Sequence, residues 1–525
     1  MDAVDLLLRG YFPKELPPPF VTQSLCSNLP SIISAWSSLG LTVRKNYRES
    51  RSASFSIPRL NYSRRIISIP NPLHQIELSE IIASNWGQLN RFVRKSRLSA
   101  SVPIKDRYLQ RALIPRKTFT EYKREYVLSS HDRLFEVRTD IARFYPSVYT
   151  HSISWALHKK LVAKRKRHDL SLLGNKLDKA CSACQSGQTI GLPIGPDTSF
   201  LISEVIATAI DVRLCAEFPN IRGYRYIDDY HLFLKSQEEA ERVLKYLQSL
   251  FADYELDLND AKTDVVRFPQ SFESSWTINL SSFKLHDTGS RQRRDISNYF
   301  SLAFEYHNKY PEQSVIRYAV KKLFNLKVDP LNWRFFQSLL LKTTLSNPLI
   351  IPDTLRILLV YKSQCDKRMV RDVVEQLLFT HVGKWHSYEV AWTLWLAKSF
   401  RIRIHKKLAE QIFQSGDQFP ILICFDMMDH GLVSERIDTS FLGGDFTAGS
   451  LFDENWLFTY EMISKKWLKP NKPRIIKKNP FFRILHENEV TFYEQGKQLE
   501  DAQTFLKVVP KTGVKPRIEH FVEEY

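Results

Sequence analysis

The sequence predicts an α+β protein in which a mixed region with short strands is followed by an all-helical region. Between residues 51 and 285, runs rich in β-branched and aromatic residues, such as LFEVRTDI and GYRYIDDYHLFL, alternate with helical patterns. Beyond residue 286, segments such as SVIRYAVKKLFNL and YEVAWTLWLAKSF place apolar residues at helical spacing. A chain of 525 residues is too long for one compact core, so more than one domain is expected.

Three regions follow from these changes along the chain. Residues 1–50 contain the Pro-rich passage GYFPKELPPPF, which cannot be a helix interior because prolines lack the N–H donor, and we predict an extended amino-terminal arm. Residues 51–285 are predicted to form the mixed domain. Residues 286–525 are predicted to form the helical domain, whose consecutive helical pairs indicate a HEAT-like array although no fixed repeat period is visible.

Charge and composition narrow the class of protein. Lysine and arginine number 75 against 57 acidic residues, a net charge of +18, which predicts attraction to polyanions and to nucleic acid first. No run approaches the roughly 20 apolar residues that span a bilayer, and MDAVDLLLRGYF does not have the pattern of a signal peptide. We therefore expect an intracellular protein that does not enter the membrane.

The six cysteines suit a reducing compartment, and the lone Cys181–Cys184 pair lacks the further ligands that zinc needs.

Two adjacent aspartates, Asp228 and Asp229, interrupt a hydrophobic strand pattern in YIDDY. Successive side chains of a regular strand point to opposite faces, so both acids reach one site only at a tight hairpin tip. An uncompensated buried carboxylate is costly, and a bound cation supplies the missing charge. The alternative, an ordinary acidic turn, is disfavoured by the aromatic residues and strands on both sides.

A further acid, Asp140, follows the strand-like run LFEVRT and precedes a helical pattern. At such a strand-to-helix junction the Asp140 carboxylate and the Ile141 carbonyl can both face a metal. Two Mg²⁺ ions about 3.5–4 Å apart would activate an attacking 3′-oxygen and stabilise leaving pyrophosphate. A helix cap is the alternative role for Asp140 alone. The combination with Asp228 and Asp229 indicates a two-metal nucleotidyltransferase.

Five segments in order resemble the motifs of reverse transcriptases. They are the fingers segment RRIISIPNPL, motif A FEVRTDIARFYPSVYTH, motif B GLPIGPDTS, motif C YIDDY and motif D LNDAKTDVV, which together span residues 64–266. The resemblance implies fingers and palm subdomains and a DNA polymerase that uses dNTPs. It also implies two Mg²⁺ ions, for which Mn²⁺ can substitute, held by Asp140, Ile141, Asp228 and Asp229.

The same resemblance assigns nucleotide-binding roles. Tyr145 matches the aromatic steric gate that excludes ribonucleotides, with a core tyrosine as the alternative. Arg65 matches the fingers arginine that clamps phosphates, and Arg64 either assists it or is a solvated surface residue. Gly195 lies in a loop whose backbone approaches the nucleotide. Lys262 matches the motif D lysine that protonates pyrophosphate, with a surface lysine as the alternative.

More narrowly, FYPSVYTHSISWAL, GLPIGP, GYFPKELPPPF and SYEVAWTLW resemble segments of the bacterial abortive-infection reverse transcriptases. Many templated reverse transcriptases have glutamine after the motif B proline, whereas this chain has Ile194. The resemblance implies untemplated, protein-primed DNA synthesis in anti-phage defence in the bacterial cytoplasm. It further implies a trimer or hexamer and a single-stranded DNA product attached to a tyrosine.

A priming tyrosine has to reach the active site and then move away, which favours flexible segments. Tyr11, Tyr47 and Tyr525 are the candidates by this criterion, whereas Tyr226 and Tyr230 flank the acids and are interpreted as structural.

Two other functions stay open. One is a template-directed reverse transcriptase of a mobile element or retron, although the chain shows no maturase or endonuclease signature such as CxxC…CxxC. The other is a catalytically idle nucleic-acid-binding scaffold, which the intact Asp140, Asp228 and Asp229 disfavour.

Overall fold

The computed structural model describes residues 1–59, 63–108, 110–271, 273–435, 437–443, 446–467 and 474–508. Its strands are β1 (Ala53–Pro58), β2 (Arg64–Ile69), β3 (Pro103–Lys105), β4 (Leu113–Pro115), β5 (Phe135–Asp140), β6 (Arg222–Tyr226), β7 (Asp229–Leu234) and β8 (Asp264–Arg267). The helices up to β8 are α1 (Ala3–Arg9), α2 (Gln23–Ser27), α3 (Leu29–Ser38), α4 (Leu41–Lys45), α5 (Pro72–Ser84), α6 (Trp86–Val93), α7 (Phe119–Ser130), α8 (Phe144–Ser147), α9 (His151–His158), α10 (Lys160–Arg165), α11 (Leu173–Ala183), α12 (Asp197–Glu217) and α13 (Gln237–Asp253).

The helices after β8 are α14 (Ser275–Ser282), α15 (Gly289–Lys309), α16 (Val315–Lys322), α17 (Pro330–Ser346), α18 (Ile351–Val360), α19 (Lys367–His381), α20 (Ser387–Ser399), α21 (Lys406–Gln414), α22 (Gln418–Asp429), α23 (Trp456–Ser464), α24 (Arg474–Lys478), α25 (Pro480–Glu487) and α26 (Ala502–Val508). The predicted change from a mixed to a helical region is therefore confirmed. The finer HEAT-like arrangement stays a prediction.

Four antiparallel strands in the order β6-β7-β5-β8 form the sheet that we call the palm sheet. Because side chains alternate along a strand, its two faces differ in character. Val137, Leu232 and Leu234 are buried in one apolar core together with residues of α12 and α13. Asp140 and Asp229, which are paired across β5 and β7, belong to the other face. The sheet thus displays acids on a rigid, helix-backed platform.

The antiparallel β1–β2 pair, which we call the fingers hairpin, is anchored in the helical region. Phe55 and Ile57 of β1 and Ile67 and Ile69 of β2 are buried in the apolar core that the helices after β8 also form. Strand β1 packs against α20. The two predicted domains therefore share a core at this hairpin, and the boundary at residue 285 stays a prediction.

The amino-terminal segment, residues 1–50, differs from the predicted extended arm. It contains α1–α4, and the Pro-rich passage between α1 and α2 is packed between other parts of the chain. The Val21 N–H donates to the Phe492 carbonyl at 3.0 Å, and the Glu494 N–H donates to the Pro19 carbonyl at 2.8 Å. Prolines exclude a helix there, as predicted, but the passage is covered by Phe492 and Tyr493, whose rings contact those of Phe12 and Phe20.

A helix that crosses a bilayer has to be both long and apolar. No helix among the described ranges meets both requirements.

Candidate active site

The tip of the β6–β7 hairpin presents the paired acids. Ile227 has a left-handed backbone with φ of +56°, which closes the turn in a conformation that β-branched residues seldom adopt. The Ile227 N–H donates to Ser101 Oγ at 2.8 Å, and its carbonyl accepts from Arg225 Nη1 at 2.7 Å. These bonds hold the strained turn. Asp228 in the turn and Asp229 at the start of β7 follow directly.

Asp140 is the last residue of β5 and lies opposite Asp229 in the sheet. Its carbonyl accepts from the Asn259 N–H at 3.0 Å, and the next N–H, that of Ile141, donates to the Asp228 carbonyl at 3.3 Å. Backbone hydrogen bonds therefore join the segments of motifs A, C and D directly. The structure brings Asp140, Ile141, Asp228 and Asp229 together, as the sequence predicts.

The three carboxylates crowd one another. Burial raises the pKa of Asp228 to about 7, and the charges of Asp229 and Asp140 add to this effect. Burial also raises the pKa of Asp229, with Asp140 contributing and Lys262 opposing. Both shifts mean that the negative charge concentrated here is under-compensated.

Lys262 supplies part of the missing positive charge. Its Nζ forms an ion pair with Asp140 Oδ2 and lies 4.0 Å from Asp229 Oδ1. Burial alone would lower the pKa of Lys262, but its hydrogen bond with Asp140 and the surrounding carboxylates raise it. The ammonium is therefore firmly protonated, as a proton donor to a leaving group has to be.

One atom of the cluster fits a metal in particular. Asp140 is buried, and its Oδ1 has no hydrogen-bond partner among the described residues. Buried acceptors are rarely left without a partner in folded proteins. A hard divalent cation prefers oxygen ligands, and the Asp140, Asp228 and Asp229 carboxylates with the Ile141 carbonyl offer that donor set. The residues present therefore fit a divalent metal.

Tyr145 lies in α8, just beyond Asp140, and is half-buried. Its hydroxyl accepts from Ser203 Oγ of α12 at 3.4 Å. Burial raises the pKa of Tyr145, and the negative charge of Asp228 is among the groups that raise it further. The ring thus contacts α12 and lies in the field of Asp228, and its role as a steric gate stays a prediction.

Replacing Tyr145 by alanine is expected to admit ribonucleotides, because the space beneath the sugar is vacated. We expect the preference for dATP over ATP to fall by about tenfold or more, since even one misplaced group in a pocket is worth about 1–3 kcal/mol. Competing incorporation of labelled dATP and ATP measures the change. Tyr145→Phe, which keeps the ring, is the matched control, and equal discrimination by the alanine variant and the wild type would place the gate elsewhere.

The motif B loop is packed against other protein segments. Gly195 has φ of +129°, and a Cβ there would lie 2.7 Å from Pro13 Cγ and 2.9 Å from Ile67 Cγ2. The Ile194 carbonyl accepts from the Ser68 N–H of β2 at 2.8 Å. The glycine is required by the close approach of the amino-terminal segment and β2. Its predicted role beside a nucleotide stays a prediction.

Sequence reasoning missed the ion pair that fixes this loop. Arg111 Nε donates to Asp197 Oδ1 at 3.1 Å, and the backbone N–H groups of Ala112 and Leu113 donate to Asp197 Oδ2 at 3.0 Å. The Asp197 N–H in turn donates to the Gly10 carbonyl at 2.7 Å. The sequence shows Asp197 only as an acid near the start of a helix, because Arg111 and the other partners of Asp197 are distant along the chain.

The two fingers arginines have different environments. Arg64 binds both carboxylate oxygens of Glu389 in α20, each at 2.7 Å, so it is neither a solvated residue nor a second phosphate clamp. Arg65, its neighbour in β2, is half-buried. Burial and the charge of Arg65 lower the pKa of Arg59, whereas Asp228 raises it. Arg59, which sequence reasoning missed, thus lies in the electrostatic field of both Asp228 and Arg65.

The tyrosines considered for priming differ in how deeply they are buried. Tyr11 is fully buried and its hydroxyl donates to the Pro70 carbonyl, so the flexibility that nominated it is absent. Tyr47 is half-buried and stacks on Phe452 at 5.0 Å between ring centroids. Tyr230 is buried and donates to Asp211 Oδ1 at 2.9 Å, as expected of a structural residue. Tyr525 lies outside the described residues.

A sheet that carries converging acids, with a lysine between them, is the architecture of a palm-type nucleotidyltransferase centre. Comparison with protein families agrees, since residues 88–298 match the family described as Reverse transcriptase (RNA-dependent DNA polymerase). The chain therefore contains a reverse transcriptase domain, and the family to which this domain belongs is that of RNA-directed DNA polymerases. Domains of this family use divalent metal ions. No match was found among curated proteins.

Solved telomerase structures are similar to this chain at low identity. Apo telomerase from Candida tropicalis truncated from its C-terminal domain is 13% identical over 47% of this chain and 56% of its own, with a TM-score of 0.29. This chain thus spans little more than half of that protein's length. Apo telomerase from the same organism is 10% identical over 79% of this chain and 72% of its own, with a TM-score of 0.31. Telomerase from Candida albicans, in complex with a TWJ fragment of telomeric RNA, is 11% identical over 69% of each chain, with a TM-score of 0.27.

Proposed function

We propose that this chain is a DNA polymerase that adds dNTPs to a growing 3′-OH with two Mg²⁺ ions, without a template and from a protein primer. Its biological role in this proposal is abortive-infection defence against phages in the bacterial cytoplasm. The convergence of Asp140, Asp228 and Asp229, with the buried Asp140 Oδ1 left without a partner, is the observation that supports it most. An idle scaffold has no use for such a costly cluster.

In this proposal each residue of the cluster has a defined task. Bound divalent ions supply activation of the attacking oxygen and charge stabilisation of the leaving pyrophosphate. Asp140, Asp228, Asp229 and the Ile141 carbonyl hold them. Arg65 binds the triphosphate from the fingers hairpin, and Tyr145 contacts the sugar. Lys262 transfers its ammonium proton to the departing pyrophosphate. The raised pKa of Lys262 keeps this proton on the side chain at neutral pH.

The sequence at motif B supports synthesis without a template. An apolar Ile194 side chain cannot form the hydrogen bonds that glutamine offers near a nucleotide and primer. The Ile194 carbonyl accepts from the Ser68 N–H, a hydrogen bond that does not involve the side chain. A substitution at Ile194 therefore keeps this backbone contact between motif B and the fingers hairpin.

Replacing Ile194 by glutamine is expected to raise template dependence on an annealed primer by about tenfold, the effect of one well-placed hydrogen bond of about 1–1.5 kcal/mol. The measurement is the ratio of correct to incorrect incorporation opposite a defined template base. Ile194→Leu keeps the apolar character and serves as the control. An unchanged ratio in the glutamine variant would show that other parts of the protein decide template use.

A polymerase without a nucleic-acid primer needs a protein hydroxyl. The phenolic oxygen of a tyrosine attacks the α-phosphate of a dNTP, a phosphodiester forms, pyrophosphate leaves and the phenolic proton passes to a base. Tyr11 is too well buried for this role, whereas Tyr47 lies near the surface in the segment after α4. Tyr525 stays a candidate by its position in the sequence alone.

One experiment tests the proposed DNA synthesis, its independence of a template and its protein primer. The purified full chain is incubated with Mg²⁺ or Mn²⁺ and labelled dNTPs, without template or primer, and the products are run on a denaturing gel before and after proteinase digestion. We expect labelled DNA that stays with the protein and is released by proteinase. DNA that runs free without proteinase contradicts protein priming, and no product without an added template contradicts untemplated synthesis.

The second candidate is a template-directed reverse transcriptase, which the RNA-dependent activity in the family description favours. Product that forms only with an annealed primer and template RNA would select it. The predicted trimer or hexamer is tested separately, by light scattering of the purified chain.

A further inference from the structure

Two histidines and a glutamate meet at the turn between α19 and α20. His381 is the last residue of α19, His386 immediately precedes α20, and Glu389 lies in the first turn of α20. Between the helices, Gly383 and Trp385 have left-handed backbones with φ of +79° and +56°. These two conformations reverse the chain tightly enough to bring the three side chains together. The elements involved are separate from the palm sheet and its carboxylates.

The distances between the potential ligand atoms suit a single small ion. His381 Nδ1 and His386 Nδ1 are 2.7 Å apart, and His386 Nδ1 lies 3.7 Å from Glu389 Oε1. One ligand atom from each of the three residues falls within 4.8 Å of the others. Tetrahedral zinc with bonds of about 2.0–2.1 Å separates its ligand atoms by about 3.3 Å. Small side-chain rotations are therefore sufficient to form the site.

The two imidazoles also present suitable ligand atoms to each other. The Nδ1 atoms of His381 and His386 face one another, and a ring nitrogen of a neutral imidazole is the commonest metal ligand in proteins.

The carboxylate is held in place for a ligand role. The Glu389 side chain is only 2% exposed, and Arg64 binds both of its oxygens at 2.7 Å. Each carboxylate oxygen accepts more than one contact, so Oε1 can face the histidines while it keeps the arginine. Ligating carboxylates are commonly oriented by such a second hydrogen bond. His386, whose side chain is 27% exposed, leaves a solvent-facing side on which water can complete the coordination.

We propose that His381, His386 and Glu389 form a second metal site, specific for a zinc-class divalent ion and distinct from the catalytic carboxylates. Imidazole nitrogens favour Zn²⁺, Co²⁺ and Ni²⁺, whereas Mg²⁺ prefers a set of oxygen ligands. The two sites therefore differ in the metal that they select.

The metal would brace the helical region against the fingers hairpin. Glu389 contacts the metal on one side and Arg64 of β2 on the other, and Arg65 follows directly in the same strand. An ion that fixes the α19–α20 turn consequently limits the freedom of the strand that carries the fingers arginine. This role is independent of template use and priming.

Direct metal binding tests the inference without any activity assay. The full chain is stripped with a chelator, dialysed against Zn²⁺ in a large excess of Mg²⁺, and analysed for bound metal by mass spectrometry. We expect about one Zn²⁺ per chain, and with Co²⁺ the visible absorption of a low-symmetry site with nitrogen ligands. His381→Ala and His386→Ala should each lose the bound zinc, and zinc should raise the melting temperature of the wild type but not of these two variants.

Two matched controls establish whether the zinc is held by these three residues. His430→Ala removes a histidine that lies close to an acid, Asp426, in another helix turn, and should keep the zinc. Asp228→Asn disables the catalytic cluster and should also keep it. Equal zinc uptake by the wild type and a His381→Ala/His386→Ala double variant would overturn the proposal. Loss of zinc in Asp228→Asn alone would assign the metal to the catalytic carboxylates and overturn it too.

Discussion

Asparagine in place of Asp228 is expected to abolish DNA synthesis while the protein stays folded. The carboxylate is one of three that crowd the tip of the β6–β7 hairpin, and its charge is needed to hold a divalent ion. Losing several kcal/mol of transition-state stabilisation lowers the rate by about a thousandfold or more. Incorporation of labelled dNTPs with Mg²⁺ measures the loss. Full incorporation by a folded variant would contradict the assigned role of Asp228.

The Asp228→Asn variant that loses DNA synthesis is expected to be at least as stable as the wild type. Burial, together with the neighbouring acids, raises the pKa of Asp228 to about 7. Without metal, the stability linked to this carboxyl is fully present below its unfolded pKa, near 4, and is lost as the pH rises towards 7. We therefore expect metal-free Asp228→Asn to melt at or above the wild-type temperature at pH 8. The control Asp132→Asn, which changes an acid on the periphery, should leave DNA synthesis unchanged.

Replacing Arg225 by methionine is expected to lower the free energy of unfolding by about 3–5 kcal/mol, because it strands two buried carboxylates. The Arg225 side chain is fully buried and binds Glu204 Oε1 at 2.7 Å and Asp211 Oδ2 at 2.9 Å. It also holds the hairpin turn through the Ile227 carbonyl. Urea unfolding followed by circular dichroism measures the loss, and DNA synthesis should fall with it because the catalytic turn loses its support.

The control lies in the same strand. Arg222 is also paired with an acid, Asp132 at 2.8 Å, but its side chain is 42% exposed. Arg222→Met should cost about 0–1 kcal/mol, since water screens exposed ion pairs. Similar small losses in the two variants would show that the buried network around Arg225 is dispensable.

The convergence of Asp140, Asp228 and Asp229 could be predicted because their signal in the sequence is local. An Asp-Asp pair within a strand pattern is expensive unless a hairpin tip and a cation compensate it, and Asp140 marks a strand end in the same way. The predicted fold followed from equally local patterns, the alternation of strands and the spacing of apolar residues in helices. The structure places Asp140 opposite Asp229, as this reasoning requires.

What could not be predicted depends on partners far away in sequence. Arg64 looked like a free fingers arginine, but Glu389, its partner, is 325 residues away. Tyr11 looked mobile because it lies in the amino-terminal segment that was predicted to be an extended arm, yet it is buried in the apolar core and its hydroxyl donates to the Pro70 carbonyl. The role of Arg111 could not be predicted from the sequence, because this role depends on the ion pair that Arg111 forms with Asp197. Contacts between residues that are far apart in sequence depend on how the folded core is packed. They leave no periodic pattern in a single sequence from which they could be predicted.

The two ends of the described chain are brought together, and this sets the order in which the enzyme can be completed during synthesis. Ser24 donates to the Thr491 carbonyl across 467 residues, and the segment just before it holds the motif B loop through Gly10. A ribosome delivers the amino-terminal segment first, but its partners emerge only after nearly all of the helical region has been made. Domains usually fold as they emerge. A partly translated chain that ends before residue 491 therefore carries Asp140, Asp228 and Asp229 without the contacts that the amino-terminal segment makes with residues 491–494.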